Sequence, residues 1–263
     1  MNALVKIDNY AISTRAAQVN RLFERNLGDE KLTASDFQRI SVPTQGNTLW
    51  MIQTAEGQQG VKDITGIILF KNTNRSFWEK EMGSGENAAP DCQSFDGLCG
   101  KLRDGYPKLD IGSDYGPGGV CEYCKMNKWG SGKNGGKACR EFRCLYMLRE
   151  NDILPVIVKA PATSLRPLKD YFVKLLNAGI DYSGVITKLE LTEEKNKAGT
   201  KYSIIKPSMV GLLDPESLKK VEVFFTSIRG SIERVQRDVE VHEDAPKSDP
   251  ENVCGTTKSE VPF

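Results

Sequence analysis

The chain has 263 residues, 36 of them lysine or arginine against 35 aspartate or glutamate, and a formal net charge of +1. That length buries a substantial core in one large domain, or in one domain with insertions. The even balance removes global basicity as a sign of a polyanionic partner, so charge has to be read segment by segment.

The N-terminal stretch lacks the apolar core of a signal peptide, and no run approaches the roughly 20 apolar residues that span a bilayer. The expectation is a soluble protein of the cytoplasm. Residues 1–40 form an N-terminal helical segment in this reading: within 11–27, Ala16, Val19, Leu22, Phe23 and Leu27 fall near helical spacing, with Ser13 or Thr14 as cap and Gly28 as stop. From Ser41 the pattern changes, and TLWMIQT and ITGIILF read as strands.

Residues 81–144 are rich in glycine and poor in hydrophobes, a loop too long to hold itself without a staple. After it come a buried strand in ILPVIVKA, a helix in SLRPLKDYFVKLLNAG, and two strands in YSGVITKLELT and TKYSIIKPSMV. The last two are joined by a hairpin loop with Gly199 at a positive-φ position. The order strand, strand, insertion, strand, helix, strand, strand matches an OB-fold-like five-stranded Greek-key barrel. The predicted fold class is therefore α+β and β-rich, with the OB-like core at 41–213 and its insertion at about 81–144. Residues 214–237 predict a C-terminal helix that starts on an Asp cap and Pro215 and lines up Leu218, Val221, Phe224, Phe225 and Ile228. Gly230 is a candidate interruption of that helix, and 238–263 reads as a disordered acidic tail.

Six of the seven cysteines lie between Cys92 and Cys144. In a reducing compartment such clustering points to metal rather than disulfides. Cys121 and Cys124 form a CxxC knuckle, which supplies two tetrahedral ligands from one tight turn, and a distant pair must close the site. Cys92, in the turn-forming PDCQSFDG, and Cys139, after the flexible GSGKNGGKA, are the chosen pair. The expected cofactor is one structural Zn2+ on Cys92, Cys121, Cys124 and Cys139, a closed set with no position left to activate water. Cys99 is a spare ligand, Cys144 a core hydrophobe and Cys254 a free thiol without a role.

From Cys121 to Arg149 seven basic side chains face two acidic ones, a local surplus of five. Cations that track phosphates and flat rings that stack bases are what a single nucleic-acid strand requires. The predicted contacts are Lys125, Lys128, Trp129, Lys133, Lys137 and Arg140 here, and Lys71, Arg75, Phe77 and Trp78 in KNTNRSFWEK. Phe77 and Trp78 point to opposite sides of an extended chain, so one is expected in the core. Trp50 and Tyr171 are read as buried.

A single histidine, His242, stands in the acidic tail. No Walker loop, GxSxG, DxD or ExxH spacing occurs either, so the expectation is a protein that is not an enzyme. A metal nuclease site around Asp91, Asp96 and Asp110 is the enzymatic alternative.

PDCQSFDG at 90–97, CEYCKMNKWGS at 121–131 and GKAC at 136–139 resemble the motifs of a family from phages and mobile elements. Its members carry a proline-anchored CxSxDG, a CxxCxxNxWGS knuckle and a GKAC closure. The likeness extends through FQRISVPTQGNTLW, RSFW and the stretch from LPVIVKAP to KLEL, most of residues 30–210. It implies a zinc-stapled, OB-like protein that binds single-stranded DNA in replication or recombination, in the cytoplasm of the host cell. Cys99 and Cys144 fall outside the shared motifs. The plan is also similar to the helix-destabilising protein of T-even phages, whose His ligand this chain lacks.

Residues 238–263 carry seven acidic side chains against two lysines. This tail has the sign to occupy the basic insertion until DNA displaces it. Its tip, Glu260, Val261, Pro262 and Phe263, resembles the acidic, Ile-Pro-Phe end with which bacterial single-stranded DNA-binding proteins dock partners, although it is less densely acidic and has Lys258 close by. Replication or recombination proteins are the partners that the tip implies. The alternative function is a zinc-containing interaction or inhibitor protein acting on a host polymerase, nuclease or defence complex.

Overall fold

The computed structural model of the protein describes residues 4–8, 10, 21–22, 24–30, 32, 36–54, 56–79, 89–105, 115–150, 152–196 and 198–238. The chain divides into two compact units, one built from Met1–Asn72 with Phe142–Glu240 and the other centred on Thr73–Glu141. The fold is α+β and strand-rich, around a mixed sheet.

In the first unit the strands are β1 (Leu4–Val5), β2 (Arg39–Ser41), β3 (Trp50–Thr54), β4 (Gly57–Val61), the first part of β5 (Asp63–Phe77), most of β8 (Arg140–Leu148), β9 (Val156–Ala160), β10 (Val185–Lys195) and β11 (Lys201–Leu213). Helix α1 (Ala162–Asn177) lies between β9 and β10, and α2 (Pro215–Asp238) follows β11. The order across the sheet is β1-β11-β10-β5-β8-β9-β2. The β10 strand is antiparallel to both β5 and β11, and β8 is antiparallel to β9, whereas β1 and β2 add in parallel to β11 and β9.

Alternation along β8 explains why this sheet buries both faces. Cys144, Tyr146 and Leu148 join one core with Ile67, Leu69 and Leu213, which α2 covers with Val221, Phe224, Ile228 and Ile232. Leu145 and Met147 turn to a second core with Ile64, Ile68, Val158, Leu189 and Ile205. Each such side chain removed from water contributes about 1.5–3 kcal/mol before entropy is counted. Gly66 lets β5 and β8 come close, because a Cβ there would stand 2.3 Å from the Leu148 carbonyl oxygen.

Helix α1 buries Ser164, Leu168, Tyr171 and Leu175, spaced four, three and four apart. The Ser164 hydroxyl accepts from Ile205 N at 3.0 Å, and the Tyr171 hydroxyl meets Thr187 Oγ1 at 2.8 Å. Trp50 is fully buried and its indole N–H donates to the Leu189 carbonyl at 3.0 Å, as an indole in a core must. In α2 the Asp214 carboxylate caps Ser217 N at 2.8 Å, and this hydrogen bond holds its pKa below the usual carboxylate value. The helix continues through Gly230 without a break.

Several expectations change. The stretch read as the end of the insertion is β8, a strand inside the main sheet, so the loop ends near Glu141. The first predicted strand, TLWMIQT, becomes β3, which pairs with β4 in a separate two-stranded sheet. Residues 1–40 are not only helical: residues 21–22 and 24–27 are, but β1 and the start of β2 lie there too. Strands of two and three residues are too short to display a period. The stretch 11–20 and the tail beyond Asp238, with Glu260, Val261, Pro262 and Phe263, lie outside the described residues.

Candidate metal centre and nucleic-acid interface

In the second unit the chain brings Cys92, Cys121, Cys124 and Cys139 together by backbone hydrogen bonds. Cys92 opens β6 (Cys92–Ser94), which pairs with the end of β5 and with β7 (Lys101–Leu102). The knuckle is a turn in which Tyr123 N and Cys124 N both reach the Val120 carbonyl, at 3.1 and 3.0 Å. Cys121 N donates to Leu98 O at 2.7 Å, which seats the knuckle beside β6. Cys139 N donates to Met126 O at 2.8 Å, so the distant cysteine is hydrogen-bonded back onto the knuckle.

The polar residues of the knuckle hold the loop in this shape. Asn127 Nδ2 donates to Cys121 O at 2.7 Å, and Ser131 Oγ accepts from Ala138 N at 3.0 Å while lying 2.9 Å from Met126 O. A short loop closes on itself between Gly130 and Gly136.

The four cysteines line one small cavity of about 10 Å³, with Arg75, Phe77 and Met126 among the other walls. All four are buried. Burial pushes the Cys92 thiol up to about 11 and the Cys139 thiol to about 12, and it raises Cys121 as well. Gly118 N points at Cys92 Sγ from 3.3 Å, a donor that favours thiolate. Gly100 leaves room for that sulfur, since a Cβ there would stand 2.7 Å from it. Among the described residues no group of three or more Cys, His, Asp or Glu side chains is drawn into a closed ligand set. The four thiols nonetheless line one cavity.

The other cysteines separate from this group. Cys144 is buried in the first unit's core, as its sequence context suggested. Cys99, the spare ligand, is in a disulfide, which removes it from the ligand candidates and departs from the expectation of a chain without disulfides. Cys254 lies outside the described residues.

Two of the acidic residues named for the enzymatic alternative make local hydrogen bonds. Asp91 accepts from Glu79 N at 2.8 Å and from Arg103 Nη2 at 2.8 Å, and Asp96 Oδ1 accepts from Leu98 N at 2.7 Å and from Ser94 Oγ at 3.0 Å. Both carboxylates are engaged in holding turns, and Asp110 lies outside the described residues.

The predicted nucleic-acid contacts divide. Trp129 is 79% exposed, with Lys137 Nζ 5.7 Å from its ring centre, and Lys125, Lys128 and Lys133, close to it in sequence, are exposed. Arg140 is exposed and sits over the half-buried Trp78 ring at 5.6 Å. Phe77 is core, packed with Cys92 and Cys139, so it presents no ring to a base. Arg75 is a correction too: its side chain is only 17% exposed and pairs with Glu141 at 3.1 Å, so it lines the thiol cavity instead of meeting phosphates. Lys71 belongs to the first unit, where its ammonium lies 5.2 and 5.1 Å from the rings of Phe172 and Tyr182, and burial lowers its pKa.

Two exposed rings went unnoticed in the sequence: Tyr123, 53% exposed, and Tyr115, 55% exposed. Tyr123 had a signal. In a CxxC turn whose cysteines both point inward, the residues between them face outward. Comparison with family models, curated proteins and solved structures yields no match.

Proposed function

We propose that this is a non-catalytic, zinc-stapled single-stranded DNA-binding protein of the phage and mobile-element type that its motifs resemble. The observation that carries the proposal is Trp129, an indole left 79% exposed in a loop whose neighbours Asn127 and Ser131 are committed to hydrogen bonds. An exposed indole with Tyr123 and Lys125, Lys128 and Lys133 close in sequence supplies rings for bases and cations for phosphates.

Zinc suits the donors present, four buried cysteines lining one cavity. Held by Cys92, Cys121, Cys124 and Cys139, it would fix the Gly-rich loop and leave no open coordination position, which agrees with a binding rather than a catalytic role. The strand order β11-β10-β5-β8-β9, with α1 between β9 and β10, supports the OB-like plan of the first unit. In this reading Glu260, Val261, Pro262 and Phe263 recruit replication or recombination proteins.

The test is a titration of intrinsic tryptophan fluorescence with poly-dT, duplex DNA and RNA oligonucleotides at two salt concentrations. Trp50 is buried, so quenching reports chiefly on Trp129 and Trp78. Salt-sensitive quenching by poly-dT over duplex supports the proposal. No quenching at low salt, joined to nuclease-resistant capture of a host polymerase or nuclease, replaces it with the interaction-protein reading.

A further inference from the structure

We infer that Arg75 is a positioning residue for the thiolate centre: its guanidinium offsets the excess negative charge of four metal-bound sulfurs and donates to at least one of them. This rests on the zinc reading above and goes beyond it, since neither the motifs nor the spacing assign Arg75 to the metal.

Three observations converge. Arg75 lines the cavity that the four cysteines share. Among the described residues only its Nη2 has a charged partner, Glu141 Oε2 at 3.1 Å, while Nε and Nη1 are buried without any hydrogen-bond partner. Glu141 is itself shared, with Lys137 Nζ at 4.0 Å, so Arg75 does not have this carboxylate to itself.

A buried donor with no acceptor is a defect unless something arrives to accept from it. Neutral thiols are weak acceptors, whereas four thiolates around a divalent cation carry a net charge of two minus and accept strongly. The two idle N–H groups of Arg75 match that state of the site. Groups in this outer position orient ligands and tune affinity for the ion.

The experiment titrates the full chain with Co2+, then Zn2+ against a competing chelator, for wild type, Arg75→Met, Arg75→Lys and Glu141→Gln. Arg75→Met is expected to weaken Zn2+ binding by about 10- to 100-fold, to shift the sulfur-to-cobalt charge-transfer band, and to leave the thermal midpoint in chelator unchanged. Arg75→Lys should recover part of the affinity. Glu141→Gln, which frees the guanidinium from its carboxylate, should hold or raise affinity. Equal loss of affinity in Arg75→Met and Glu141→Gln would mean that the ion pair merely supports the fold, and the inference falls. It falls equally if Arg75→Met binds as wild type does. A wild-type chain that takes up neither ion overturns the zinc reading itself, a result distinguishable from both.

Discussion

Lys137 Nζ stands 5.7 Å from the centre of the Trp129 ring and 3.2 Å from Asn127 Oδ1. One ammonium therefore ties the exposed indole to the residue that braces the knuckle through Cys121 O. The ring's orientation depends on the cysteine loop, and its large exposed surface is available for stacking.

Replacing Trp129 by alanine should cost affinity and not stability. Base stacking on an aromatic side chain contributes about 1–3 kcal/mol, so poly-dT binding is expected to weaken by about 5- to 150-fold in fluorescence anisotropy with a labelled oligonucleotide. The thermal midpoint should stay within a degree or so, because a side chain this exposed buries little. Unchanged affinity would remove Trp129 from the interface.

Lys125, Lys128 and Lys133 should govern salt dependence more than selectivity. Every phosphate left without its lysine lowers the slope of log K against log salt by about 0.7 for a single strand. The triple alanine variant is expected to flatten that slope by about 2, with the preference for single strands retained. A slope identical to wild type would place the phosphate path elsewhere.

Removal of metal should loosen the second unit. The Gly-rich stretch 115–139 has little apolar packing beyond Phe77, Cys92, Leu102, Met126, Ala138 and Cys139, so chelation or Cys124→Ser is expected to abolish amide protection there in hydrogen exchange. Amides of β9, β10 and β11 in the first unit should keep theirs. Elemental analysis should find one zinc per chain, and a protein that is metal-free and fully protected would refute the staple.

Cys144 sets an alkaline limit. Burial raises its thiol to about 11, whereas an unfolded thiol ionises near about 8.5. The neutral thiol's contribution is complete below that lower value and is lost as pH rises toward 11, on the order of 3 kcal/mol in all. Urea unfolding across about pH 8–11 should show Cys144→Ala less stable at neutral pH but with a shallower decline. Parallel declines for the two proteins would count against this assignment.

Deleting 241–263 should raise affinity for poly-dT at low salt by a few-fold and have little effect at high salt, where screening already suppresses attraction between an acidic segment and a basic loop. An unchanged low-salt affinity would rule out autoinhibition by charge.

Features set by neighbours a few residues away are legible in the sequence. The apolar stripe of α2, the burial of Tyr171 on α1 and the hairpin glycine at 199, with φ +80°, follow from period and turn chemistry. The grouping of Cys92, Cys121, Cys124 and Cys139 is legible because a CxxC turn needs a second pair, and only some of the remaining cysteines have the loop flexibility to supply it. The disulfide at Cys99 gives no comparable signal. Arg75 and Phe77 mislead because RSFW carries both a cation and rings, and composition does not say which side of a strand faces a cavity.

What the sequence determined alone is the local code: the stretches with a clear period or turn signal, which thiols sit in turns, where charge accumulates. Tertiary structure decided pairing and direction. Residues 140–144 read as the end of the insertion, yet 140–148 became β8 because β5 and β9 offer edges on both sides and each face of β8 has a core to enter. The same long-range closure turned Arg75 inward to the thiols and left Trp129 outside. Hydrophobic burial and strand pairing act between residues far apart in the chain, so no local window contains them.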